Sequence, residues 1–200
     1  MIKPSFHGAS GRRNVAVLGL LSAALLAALP AQAHHAMELL QWQPTPLNGL
    51  VSGLLHPVLG PDHLLFLLAL SLVGLRRKAS WMLALLVVGL LVPGLPGAEL
   101  LVALSLIGVA LVLGERLPRP WLLPAFALHG YVLSASVLGW TAMPLAAYLV
   151  GLLLSQGLLL VVSLRLLAAS AATLTPRTRT ALVLAVAGSG AFLALAPLLA

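Results

Sequence analysis

Apolar stretches near the length a helix needs to cross a bilayer follow one another along most of this chain, at roughly 50–75, 81–95, 99–114, 121–140, 145–167 and 181–199. A hydrocarbon core about 30 Å thick takes roughly 20 helical residues. Backbone polar groups cannot be left unpaired in lipid, and the polar/apolar alternation of barrel strands is missing, so these stretches predict helices. Hydrophobic residues make up 61% of the chain and charged residues only 8%, against about 25% charged in a typical soluble domain. That balance argues strongly against a water-soluble fold. The expectation is an all-α, polytopic transmembrane helix bundle of about six spans. The second and third spans are short, share the turn Pro93-Gly94-Leu95-Pro96-Gly97, and read as a helical hairpin.

The N-terminal region reads differently. Arg12 and Arg13 precede an apolar run over 15–29, and Ala31-Gln32-Ala33 comes next as a small-residue cleavage site. That order is the signature of a secretory signal, so residues 1–33 are expected to be a cleaved signal peptide and residues 34–200 the transmembrane domain. Loop charges set the orientation. Arg76, Arg77 and Lys78 come after the first span, Arg116 and Arg119 after the third, and Arg165, Arg177 and Arg179 after the fifth. Positive charge stays on the cytoplasmic side, so both termini of the mature chain are expected in the periplasm and the protein in a bacterial inner membrane. Spans one to three and four to six then have opposite orientations, as inverted-repeat transporters do, although no sequence repeat is visible.

The net charge of +7 is spread over basic residues scattered along this apolar chain, which marks topology rather than a nucleic-acid partner. Cysteine is absent, removing thiolate metal sites, iron–sulfur clusters and cysteine nucleophiles. No phosphate-binding Gly-rich loop occurs, so the chain carries no ATP engine of its own.

Ionisable groups inside a bilayer cost about 2.5 to 3.5 kcal/mol each on insertion scales, and the first span concentrates them. His56-Pro57-Val58-Leu59-Gly60-Pro61-Asp62-His63 sets two imidazoles and a carboxylate in its outer-to-middle part. Pro61 lacks an amide hydrogen and biases Gly60 away from helical geometry, so a helix break is expected, with Asp62 at the N-cap of the second helical piece. In an unbroken helix His56 and His63 would lie about 10 Å apart along the axis, too far for one ion. A break lets them fold together around a cavity, as transporters build midplane ion sites. His129 lies midway along the fourth span, at a depth matching His63. Ser155 and Gln156 in the fifth span can add oxygen ligands or serve as interhelical hydrogen bonds, and Glu99 stands at the mouth of the third. If cleavage occurs after Ala33, a free α-amine beside His34 and His35 makes a nitrogen-rich capture point for a divalent metal.

At His56-Pro57-x-x-Gly60-x-Asp62-His63-Leu64-Leu65 the chain resembles the HupE/UreJ family of bacterial membrane proteins, and Pro96, Glu99 and Phe126-Ala127-Leu128-His129-Gly130 match more loosely. The resemblance implies a nickel and cobalt permease tied to hydrogenase and urease maturation, with a signal peptide and about six spans. Many members continue the fourth-span motif with a second histidine and a glutamate, where this chain has Tyr131, Val132, Leu133 and Ser134. Copper, iron and zinc therefore stay open beside nickel and cobalt.

The expected function is secondary transport of a divalent transition-metal ion, not catalysis, through a site built from His56, Asp62, His63 and His129, with no prosthetic group. Only neutral imidazole binds metal, so such transport falls as pH drops past about 6.5. Two other functions stay open, a haem-binding redox subunit with histidine axial ligands and a non-transporting metalloenzyme assembly factor. An intramembrane hydrolase using Asp62, His63 and Ser134 has no nucleophile motif behind it. The lipid bilayer is the implied partner, and a homo-oligomer is left open.

Overall fold

The computed structural model describes residues 41–73, 98–135, 137, 139–171 and 173–199. Among these residues the chain is all-helical, with α1 Pro46–Leu59, α2 Pro61–Val73, α3 Ala98–Leu113, a 3-10 turn Arg119–Trp121, α4 Leu122–Ala135, α5 Ala142–Ala171 and α6 Pro176–Leu199. The expected signal peptide, the second span with its hairpin turn, and the basic cluster Arg76 to Lys78 lie outside the described residues.

Two helices start on the same local device. Thr45 precedes Pro46 and its hydroxyl accepts the amide of Asn48 at 3.2 Å; Thr175 precedes Pro176 and accepts from Thr178 at 3.2 Å. Threonine satisfies an amide the helix leaves orphaned, and proline at the first position gives up no hydrogen bond. The Thr175 cap also explains why α6 begins ahead of the apolar run that starts at 181. α3 ends in a Schellman motif, with Arg116 N–H bonding Leu111 O at 2.8 Å, Glu115 N–H bonding Val112 O at 3.1 Å, and Glu115 left-handed at φ 59°. Hydropathy carries the fourth helix to Trp140, yet it stops at Ala135. Gly139 has φ +89°, a conformation no α-helix contains, and it turns the chain into α5.

The break in the first span falls where Gly60 and Pro61 put it. Gly60 donates its N–H to His56 O at 2.8 Å and accepts the amide of Leu64 at 3.0 Å, so one residue closes α1 and opens α2. The two helices bend by 61°. The N-cap expected of Asp62 is not observed; Pro61 takes the first helical position and Asp62 sits inside the first turn. A carboxylate there still faces the positive end of the helix dipole. A Cβ on Gly60 would lie 2.5 Å from Cδ2 of His63 and 3.1 Å from the His56 carbonyl, so only glycine lets the two histidine segments approach.

Packing tracks the small residues. Gly49 rests on the backbone of Pro144, Gly53 on Tyr148 and Leu152, and Gly151 on Leu50 and Leu54, so α1 and α5 run parallel at backbone contact. Gly114 meets Val183, and Gly190 meets Ala103 and Ile107, so α3 and α6 run antiparallel. Leu65, Phe66, Leu70, Leu106, Phe126, Leu152, Leu160 and Val186 are all fully or almost fully buried between the helices. The opposite face of α5 is a stripe of exposed Val150, Leu154, Leu158, Val162 and Leu166, four residues apart. An apolar stripe of that length suits lipid rather than water. Ala142–Leu167 and Pro176–Leu195 are long and apolar enough to cross a membrane, and the bent α1–α2 pair is a third candidate; in α3 the apolar stretch is shorter, at Leu100–Leu113.

Candidate metal site

The bend at Gly60 carries His63 back toward His56, and α4 brings His129 to the same place. Nε2 of His56 lies 3.1 Å from Nε2 of His63, and Nδ1 of His63 lies 2.7 Å from Nε2 of His129. Asp62 Oδ2 is 3.8 Å from His63 Nε2. Tyr148 of α5 completes the row, its hydroxyl 3.2 Å from His56 Nδ1. His129 and His63 are almost wholly buried, and His56 and Asp62 are under one-tenth exposed. The ring of His129 stacks on Phe66, centroids 4.1 Å apart and planes 10° apart, while Phe66 in turn meets Phe126 at 5.7 Å. Trp140 packs edge-on against Tyr148 at 5.7 Å.

A neutral imidazole has one N–H donor and one acceptor nitrogen, so Tyr148, His56, His63 and His129 form a row in which each link is satisfied with every ring uncharged. Among the described residues no three His, Cys, Asp or Glu side chains are already gathered as a metal-holding group. The geometry nevertheless limits how an ion can be held. Two ligands about 2.1 Å from one ion stand roughly 3 to 3.5 Å apart. His56 Nε2 and His63 Nε2 have that spacing, with Asp62 slightly beyond. His129 contacts the other nitrogen of His63, so the four groups do not surround one point. If both Nε2 atoms ligate, both Nδ1 atoms carry protons, and those donate to Tyr148 and to His129. Such outer partners fix the tautomer and aim of a metal-bound histidine.

A model of the HupE / UreJ protein family matches residues 22–195. The chain belongs to the HupE/UreJ family. No curated protein and no solved structure matches it. In this HupE/UreJ chain the matched region takes in His56, Asp62, His63 and His129, which the fold brings together, and also His34 and His35, which lie outside the described residues. The side chain of Glu99 likewise lies outside them. Ser155 and Gln156 are buried in α5.

Nothing local in the sequence singles out Tyr148, one aromatic near a helix start. Its role depends on the glycine contacts that draw α5 against α1, a long-range fact with no local signal. Phe66 is similarly ordinary in an apolar run. The one available hint is spacing, because Phe66 lies three residues after His63 and so shares its helix face.

Proposed function

We propose that this protein is a secondary permease that carries a divalent transition-metal cation, nickel or cobalt, inward across the bacterial inner membrane. The reading is carried by one observation, the row of three buried imidazoles with a carboxylate beside it at a helix break inside an apolar bundle. Membership in a family associated with nickel and cobalt transport supports it. Imidazole with carboxylate suits these ions, and irregular backbone at membrane depth belongs where it lines an ion path. Residues 1–33 act as a cleaved export signal, six spans come after it, and the termini face the periplasm. Parallel α1 and α5 and antiparallel α3 and α6 suit that topology, as does the ion pair of Arg179 with Glu115, which joins two basic loops at one end.

The ion sheds water as it meets His56 Nε2 and His63 Nε2, with the Asp62 carboxylate balancing its charge. Binding must open the His56–His63 hydrogen bond, which costs about 1 kcal/mol. Rings that satisfy one another hold the ion loosely enough to release it, as conduction requires. His34 and His35 provide the capture point outside. The haem reading is less well supported, because a macrocycle held between His63 and His129 needs a slot where their nitrogens are 2.7 Å apart.

The test is uptake of radiolabelled nickel in cells expressing the wild type or His63→Ala at matched membrane levels, with cobalt, copper and zinc as competitors. Uptake by the wild type alone supports the permease; no uptake above empty vector rejects it and favours the assembly factor.

A further inference from the structure

The histidine row leaves some buried polar atoms unused. Among the described residues, Ser52 Oγ and both amide atoms of Gln156 have no hydrogen-bond partner, although Ser52 is fully buried and Gln156 only 1% exposed. Other buried serines bond back into their own helices, Ser71 to Leu67 O at 2.8 Å and Ser189 to Ala185 O at 2.9 Å. Gln156 does not. A carboxamide brings two donors and an acceptor, and each group left unpaired in an apolar interior is destabilising. Packing does not call for that expense, since leucine fills nearly the same volume without it. An interhelical hydrogen bond, the bland role for such a residue, is not made among the described residues.

Helix register locates the side chain. Gly49 meets Pro144 and Gly53 meets Tyr148 and Leu152 along parallel α1 and α5. Carried two turns further, the same register sets Gln156 level with the end of α1 and Gly60, at the break that holds Asp62 and His63. Gln156 is about 12 Å along α5 from Tyr148, on the inward side of the Tyr148–His56 contact in the proposed topology. Asp62 Oδ1, at the same break, also lacks a partner among the described residues.

We propose that Gln156 is a donor to the transported ion at the level of the helix break, inward of His56, its carboxamide oxygen taking the cation together with Asp62 as it leaves the imidazoles. This rests on the permease reading. Oxygen donors hold nickel and cobalt less tightly than imidazole, so a step from nitrogen to oxygen ligands moves the ion toward release.

The experiment compares wild type, Gln156→Leu, Gln156→Glu and His63→Ala as full-length chains in radiolabelled nickel uptake, in equilibrium nickel binding and in thermal melting. Gln156→Leu is expected to slow uptake roughly tenfold or more, to keep nickel binding at the histidines and to melt at or above the wild-type temperature. Gln156→Glu, which keeps the oxygen donor, is expected to restore most of the uptake. Wild-type uptake in Gln156→Leu overturns the proposal, and so does a lowered melting temperature in that variant, which would mark a packing role. Absence of wild-type uptake would instead bring down the permease reading and this inference with it.

Discussion

Nδ1 of His63 sits 2.7 Å from Nε2 of His129, sixty-six residues away in sequence, while the opposite nitrogen of the same ring faces His56 at 3.1 Å. His63 is thus the middle of a row rather than one wall of a cage. Its two nitrogens serve different neighbours, so under the proposed permease function the histidines divide into those that would touch an ion and those that would aim them. The Nε2 atoms of His56 and His63 face each other, and His129 meets the far nitrogen of His63.

That division predicts unequal losses. His63→Ala and His56→Ala remove the proposed ligands and should abolish nickel uptake. His129→Ala removes the acceptor of the His63 N–H, together with the ring stacked on Phe66, and should weaken nickel binding by about 10- to 100-fold without eliminating it. Titration of purified variants against a competing chelator checks this; equal, complete loss in all three would place His129 on the ion directly.

Tyr148→Phe keeps the ring that packs on Trp140 and deletes the hydroxyl that meets His56. It should weaken nickel binding by about tenfold, in the same sense as His129→Ala, with little change in membrane level. Unchanged affinity would mean that His56 is oriented by packing alone.

Gly60→Ala asks whether close approach at the break matters. The added Cβ would fall 2.5 Å from His63 Cδ2, so the ring must shift or the bend must open. Uptake should fall severely while the chain still inserts. Gly53→Leu is a different lesion, because its side chain would enter the backbone of α5 at Tyr148, and it should reduce the amount of protein recovered from membranes.

How much of the fold and site is legible in the sequence depends on how local each cause is. The break between α1 and α2 arises from Gly60 and Pro61 alone and can be read there. The meeting of His63 with His129 is suggested by equal depth in two spans, which fixes height but not which ring nitrogen faces which. Asp62 inside the first turn, rather than at the cap, turns on Gly60 offering its carbonyl to Leu64. Tyr148 is invisible because its place depends on three glycines on two helices closing together. The early stop of α4 is hidden because hydropathy runs through Gly139 to Trp140, while backbone geometry does not.

The Arg179–Glu115 pair is solvent-exposed, with Glu115 74% accessible. Such pairs contribute about 0 to 1 kcal/mol. Arg179→Ala should therefore leave uptake unchanged and lower thermal stability only slightly; a large loss would indicate that the pair does more than join two loops at one end of the helices.

If the histidine row at the helix break carries a metal ion across the membrane, its middle ring is indispensable. Radiolabelled nickel uptake in cells expressing the wild type and His63→Ala at matched levels tests this most directly. Accumulation above empty vector is predicted in the wild type and none in the variant. Equal uptake in both would contradict the site, and no uptake in either would contradict the function.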